Sequence, residues 1–165
     1  MTSHRQALEF MDSFLESKSI GYHQSEAQAY AILTTAEGLD VQLLQSDKDI
    51  YDLLDTTVVA DALRLTDFVA VVTCGWAVNI TESDDNLPPS KSPNRIRVRL
   101  CVITDKNSKQ GSVMRIEGEG EAMFDEGKAH GALADALKRA SKRKSFDESV
   151  KDLIDEIAKG DSNGS

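Results

Sequence analysis

The middle of the chain carries the pattern that most restricts the fold, an apolar run followed by two alternating segments. Residues 68–80 are rich in β-branched and aromatic side chains and are apolar at nearly every even position. Val69 and Val71 add apolar side chains at odd positions, which is typical of a central strand that is buried on both faces. The fold is therefore expected to include a sheet built around this segment.

Two further segments alternate in the way that half-buried strands do. Residues 95–104 and 112–123 each carry apolar side chains at alternate positions. Arginines occupy the polar face of the first segment and glutamates that of the second, namely Arg95, Arg97 and Arg99, and Glu117, Glu119 and Glu121. Together with 68–80, these segments predict a three-stranded antiparallel meander.

Helical spacing marks the chain before these strands. Residues 4–17 carry apolar side chains at helical intervals, and Ser3 with Gln6 has the form of a capping box at their start. The apolar residues of 49–65 predict two short helices that meet near 56–57. The pattern thus favours helices at both ends of the N-terminal third.

The chain between these helices is predicted to be helical as well. Ser25 and Gln28 form a second capping box before a helix over 26–37, and Gly38 is placed to end it. The segment 39–45 fits either a short edge strand or a helical turn, and its pattern does not distinguish the two.

Two more helices are predicted after the strands. Residues 128–143 carry an apolar stripe at helical spacing. Ser145 with Glu148 forms a third capping box, and the helix behind it is expected to end at Gly160. This last helix has a narrow apolar stripe on an otherwise charged surface. The stripe consists of Phe146, Val150, Leu153, Ile154 and Ile157.

These elements predict an α+β fold, in which a small three-stranded antiparallel sheet has N- and C-terminal helices packed on one face. Residues 1–144 are expected to form a single domain, followed by the amphipathic helix and polar tail of 145–165. Trp76 lies at an even position of the central strand, so we expect it to be buried against Leu133 and Leu137.

Composition narrows the class of function. The net charge of −9 disfavours non-specific binding to nucleic acid or to an anionic membrane. No apolar run is long enough to span a bilayer, and the N-terminus does not resemble a signal peptide. Cys74 and Cys101 are too few for a disulfide scaffold and lack metal-ligand spacing, so a cytoplasmic protein is expected.

The sequence predicts no catalytic residue, metal site or cofactor. The three histidines lie far apart along the chain, and none is paired with a cysteine at ligand spacing. Cys74 and Cys101 lie among apolar residues in predicted strands, where a thiol behaves as a small hydrophobic group. These observations favour a non-enzymatic protein, and an enzyme whose site is spread along the chain is the alternative.

The arginine stripe of 95–104 allows two interpretations. A hairpin loop at 106–110 places each arginine opposite a glutamate, where opposite charges help to fix the strand register. The alternative is an anion-binding surface, because guanidinium groups suit phosphate and carboxylate ligands. The first interpretation is favoured, and it predicts the pairs Arg99–Glu117, Arg97–Glu119 and Arg95–Glu121.

Several short motifs lie between residues 67 and 137, at 72–77, 89–90, 93–95, 97–100 and 131–137. Their order resembles a run found in small acidic actinobacterial and phage-type proteins. The resemblance implies a shared origin and a similar fold for this part of the chain. It implies no activity, substrate or cofactor.

The stripe on the final helix is the strongest candidate for contact with another molecule. A helix this short is marginally stable in water, so its apolar face needs a surface to pack against. That surface is either its own domain or a groove on a partner, which is another protein or a second copy of the chain.

The five basic residues of 138–144 suggest a nucleic-acid accessory factor, which the net charge opposes. The sequence therefore predicts a non-enzymatic interaction or regulatory protein whose partner-binding residues are those of the stripe.

Overall fold

The computed structural model describes residues 2–18, 20–24, 26–44, 47–77, 88–91 and 93–163. Within these residues the α-helices are α1 (His4–Ser17), α2 (Ile50–Leu54), α3 (Val58–Leu65), α4 (Ala132–Ser141) and α5 (Phe146–Asn163). The strands are β1 (Gln28–Thr35), β2 (Gly38–Leu43), β3 (Phe68–Ala77), β4 (Ile96–Thr104), β5 (Gln110–Ile116) and β6 (Ala122–Asp125). A short 3-10 helix spans Pro89–Lys91.

The six described strands form one sheet in the order β2-β1-β3-β4-β5-β6, and every neighbouring pair is antiparallel. The α+β class is therefore confirmed, whereas the three-stranded sheet is wrong. β3 lies between β1 and β4 in the interior of the sheet, as its apolar run predicts.

One of the strands that the prediction lacked is formed by the segment 26–37, which was predicted to be helical. This segment is β1, which pairs with β2 on one side and with β3 on the other. Tyr30 and Ile32 are buried on one face of the sheet and Ala29 on the other. Consecutive apolar side chains therefore point to opposite faces, as in a strand. Gly38, at a φ of 126°, lies at the tight turn into β2 instead of ending a helix.

The edge-strand alternative for 39–45 is confirmed, because β2 forms one edge of the sheet. At the other edge, the predicted single strand 112–123 is divided into β5 and β6. Gly118 has a φ of 84°, a left-handed conformation that favours glycine, and the backbone N–H of Glu119 donates to the carbonyl of Ile116 at 3.0 Å. A turn therefore replaces the second half of the predicted strand.

Helices cover both faces of the sheet, which corrects the expectation of a single covered face. α1 packs on one face against the even-numbered positions of β3, Phe68, Ala70 and Val72. α2, α3 and α4 pack on the other face, against Val69 and Val71. The apolar residues at odd and even positions of the central strand thus belong to two separate core layers.

Several local predictions are confirmed. The Ser3 hydroxyl accepts from the Gln6 N–H at 3.1 Å while the Gln6 side chain accepts from the Ser3 N–H at 2.9 Å, so the first capping box starts α1. α2 and α3 are the two short helices expected over 49–65. Ser25, with the second predicted box, and residues 78–80 of the predicted central strand lie outside the described residues. None of the described helices is long and apolar enough to cross a membrane.

Candidate functional site

α5 presents an uncovered apolar face to solvent. Every residue from 146 to 160 is exposed, which distinguishes α5 from the other four helices. The exposed fractions of the predicted stripe are 62% for Phe146, 38% for Val150, 57% for Leu153, 59% for Ile154 and 57% for Ile157. All five predicted partner-binding residues are therefore accessible together.

The side chains of this stripe share one side of α5. At 100° per residue, the five stripe residues span an arc of about 100° around the helix axis. Glu148, Asp152 and Asp155 project from the far side of the helix, more than a quarter-turn away. The apolar face is thus separate from the surface that carries most of the acidic groups.

α5 is attached to the domain at its first turn. The backbone N–H of Phe146 donates to the Asp61 carboxylate at 2.7 Å, and Arg64 donates to Asp147 at 2.7 Å. The hydroxyl of Ser145, itself buried, accepts from the Glu148 N–H at 3.3 Å, which is one of the two hydrogen bonds of the third predicted capping box. Contrary to expectation, Gly160 does not end the helix, which continues to Asn163.

A groove of about 410 Å³ continues the apolar surface toward the domain. Asp61, Arg64, Leu65, Phe146 and Asp147 line it. Leu65 is 86% exposed although it ends a helix whose other apolar side chains are packed in the core. No local pattern singles out Leu65 as a surface residue, because its proximity to Phe146 arises only when α3 and α5 meet in the fold.

The predicted pairs of Arg95, Arg97 and Arg99 with the glutamates of 117–121 are wrong. Arg99 lies opposite Arg115 in the sheet, because the hairpin loop is one residue earlier than predicted and each cross-strand partner shifts by two. Arg99 donates to Glu16 at 2.7 Å and lies 3.5 Å from Asp12, both on α1. The charge of Arg99 is therefore neutralised inside the domain by carboxylates of α1.

Asp12 neutralises the second arginine of this pair as well. Its carboxylate accepts two hydrogen bonds from Arg115, at 2.7 and 2.8 Å. This bidentate bond raises the pKa of Arg115 above its ordinary value, against the opposing effect of burial. The two arginines and the α1 carboxylates form a structural clamp between α1 and the sheet.

Arg95 and Arg97 surround the side chain of Trp76. Their guanidinium carbons lie 4.5 and 4.6 Å from the ring centroid, and Arg97 donates to the Tyr22 carbonyl at 2.7 Å. Trp76 is 36% exposed, and its even position in β3 places it on the α1 face of the sheet. The predicted packing against Leu133 and Leu137 is wrong, because both belong to the opposite face. Anion binding by this surface stays a prediction.

The two thiols occupy different surroundings. Cys101 is buried in the α1-side core, and burial raises its pKa to about 12, so the thiolate nucleophile is disfavoured. Cys74 is half-buried and donates to the Gly21 carbonyl at 3.3 Å. Among the described residues, no group of three or more His, Cys, Asp or Glu side chains is arranged to hold a metal ion.

The basic stretch 138–144 is partly neutralised. Arg143 forms an ion pair with Asp55, and Lys144 pairs with Asp152 of α5. The Asp152 hydrogen bond raises the pKa of the exposed Lys144 ammonium group. These pairs lower the positive potential that a nucleic-acid surface would need.

Comparison of the chain with protein-family models, with curated proteins and with solved structures finds no match. The resemblance drawn from the motifs between 67 and 137 therefore stays a prediction.

Proposed function

We propose that this chain is a non-enzymatic interaction protein, which acts through protein–protein contacts made by the apolar face of α5. The observation that carries the proposal is the simultaneous exposure of all five stripe residues on a helix whose every residue from 146 to 160 faces solvent. The stripe amounts to an apolar patch on the order of 500 Å², a size that marks interaction sites on monomers.

The attachment of α5 supports the same proposal. The bond that the Phe146 N–H donates to Asp61 and the bond that Asp147 accepts from Arg64 orient the helix at its base, and the Ser145 cap stabilises its start. The helix is thus positioned without use of its apolar face. This arrangement corresponds to recognition by a helix that inserts its apolar side chains into a groove or against another helix.

The proposal is tested by affinity capture with three forms of the full chain. The bait is the native chain, a Leu153→Asp variant that places a charge in the stripe, or an Asp155→Ala variant on the far side of the same helix. We expect a stoichiometric binding protein, or a differently tagged second copy, to be retained by the native and Asp155→Ala chains. Leu153→Asp should reduce its recovery at least tenfold, because a carboxylate cannot be buried unpaired in an apolar contact.

Retention that is equal for all three baits would show that the contact lies elsewhere, and the proposed function would then be wrong. Because α5 is exposed, neither substitution alters the packed core, and matching circular dichroism spectra would verify that all three forms are folded.

A further inference from the structure

We infer that the occupant of the α5 face is a second copy of this chain, paired with the first as two antiparallel α5 helices related by a two-fold axis. This inference rests on the proposed function and names its partner. Four features of α5 and its surroundings support it: the spacing of the stripe, the placement of charge, the position of the domain at one end, and the exposed Leu65.

The spacing of four of the stripe residues is the same from either end of the helix. Phe146, Val150, Leu153 and Ile157 are separated by four, three and four residues. When two such helices run antiparallel about a centre between 151 and 152, Phe146 meets Ile157 of the second copy and Val150 meets Leu153. Each contact then occurs twice, as a two-fold symmetric interface requires.

Most of the acidic residues of α5 lie away from the stripe, so they do not favour a basic partner over a second copy of the chain. Glu148, Asp152 and Asp155 lie on the far side, so they stay in solvent whatever covers the stripe. Over residues 146–160, antiparallel pairing brings Glu156 near Ser149 of the second copy along the border of the contact, and no carboxylate of this part of the helix faces another.

The fold leaves room for this arrangement. α5 has 18 residues and is about 27 Å long, and its hydrogen bonds to Asp61 and Arg64 of the domain lie at its N-terminal end. Antiparallel pairing places the two domains at opposite ends of the helix pair, where they do not collide. The C-terminal half of each α5 then lies beside the first turn of the other, next to the exposed Leu65 and the groove between Leu65 and Phe146.

The size of the contact sets its strength. Two apolar faces of this length bury roughly 1,000 Å² in total, which is at the lower end for a specific protein interface. The dimer is therefore expected to dissociate in the micromolar range and to depend on protein concentration.

Sedimentation velocity of the full chain tests the inference, with a dilution series from about 1 to 200 μM that brackets the affinity of a small interface. The native chain should change from its monomer mass of 18.1 kDa to twice that mass as the concentration rises. Asp155→Ala should dimerise like the native chain, and Leu153→Asp should raise the dissociation constant at least tenfold.

Orientation is tested on an equal mixture of ¹⁴N- and ¹⁵N-labelled chains with a short amine-reactive cross-linker. Antiparallel pairing puts Lys144 of one copy level with Lys159 of the other, so mixed-isotope cross-links should join these two residues. Mixed-isotope Lys159–Lys159 links without Lys144–Lys159 links would show a parallel pair and overturn the arrangement.

Two other outcomes would also overturn the inference, and they separate it from the proposed function. A chain that stays monomeric throughout, while affinity capture yields a different protein that is lost with Leu153→Asp, keeps the proposed function and rejects the second copy. A dimer that Leu153→Asp does not weaken uses another surface, and it removes α5 as the self-association site.

Discussion

At the scale of single residues, the buried charges around Asp12 are the sharpest feature of the fold. Asp12 is 7% exposed and Arg99 is 3% exposed, although both are charged. Charges that deep in a protein are tolerated only when they are paired and hydrogen-bonded. Asp12 meets this requirement through Arg115 and Arg99, and it ties α1 to β4 and β5 at once.

Asp12→Ala is expected to destabilise the domain by about 3–5 kcal/mol, because the substitution leaves the buried Arg99 and the partly buried Arg115 with too few acceptors. Equilibrium urea unfolding, followed by circular dichroism, measures the change. Glu9→Ala is the matched control on the same helix, because Glu9 pairs with Arg5 in solvent, where an ion pair is worth about 0–1 kcal/mol. Equal losses for the two variants would contradict the clamp.

Trp76 is the chain's single tryptophan, so its fluorescence reports on this site alone. Its partial exposure predicts a red-shifted emission that an aqueous quencher reaches in the native protein. Trp76→Ala should cost only about 1–3 kcal/mol, through lost contacts with two guanidinium groups and partial burial. Phe68→Ala, in the core on the same face of the same strand, should cost about 3–5 kcal/mol. A blue-shifted emission that resists quenching would contradict this placement.

At the scale of elements, α5 differs from the other helices in what stabilises it. α1, α3 and α4 bury their apolar faces in the core, whereas α5 is joined to the domain by polar contacts at its base. The two core clusters of the domain include no residue of the α5 stripe. An exposed helix of this length gains little stability from its own hydrogen bonds, which is why a partner surface matters.

Removal of residues 145–165 is expected to leave the domain folded. The loss of the Arg64–Asp147 pair and of the bond to Asp61 should lower the unfolding free energy by about 1 kcal/mol, which corresponds to roughly 2–4 °C in Tm. Differential scanning calorimetry at a concentration below dimer formation measures this. A collapse of the transition would show that α5 packs on its own domain.

At the scale of the whole molecule, one sheet joins two core layers. Cys101 and Ile103 of β4 face α1, while Val102 of the same strand faces α2, α3 and α4. Neither layer is complete without the shared strands β3 and β4. The two layers are therefore expected to unfold together.

Ile103→Ala and Leu137→Ala test this, since each residue is fully buried in a different layer. Each substitution should cost about 2–5 kcal/mol. For both variants, unfolding followed by near-ultraviolet and by far-ultraviolet circular dichroism should give one shared midpoint. Separate midpoints would mean that one layer persists after the other is lost.

Local patterns were enough to predict several elements of this fold. The capping box at Ser3, the two short helices of 49–65, the strands at β3 and β4 and the apolar stripe of α5 each depend on residues within a few positions of one another. Such signals arise from backbone hydrogen bonding and side-chain periodicity, so they can be read without knowledge of the fold.

The error over 26–37 shows where local patterns fail. Alanines at 27, 29 and 31 are compatible with a helix, but Tyr30 and Ile32 alternate with them across two buried faces once β2 and β3 supply the neighbouring strands. Sheet pairing overrides helix propensity because it buries more apolar surface than an isolated helix at this position would.

Local patterns therefore account for the α+β class, the central strand, the N-terminal helix and an amphipathic C-terminal helix. The number of strands in the sheet, the helices on both of its faces, the pairing of Arg99 with α1 and the exposure of the α5 stripe beside Leu65 follow from long-range contacts. Such contacts join residues that are far apart along the chain. The acidic partners of Arg99 and Phe146 lie more than 80 residues away, and no pattern within a short window encodes which remote segment will cover a given face.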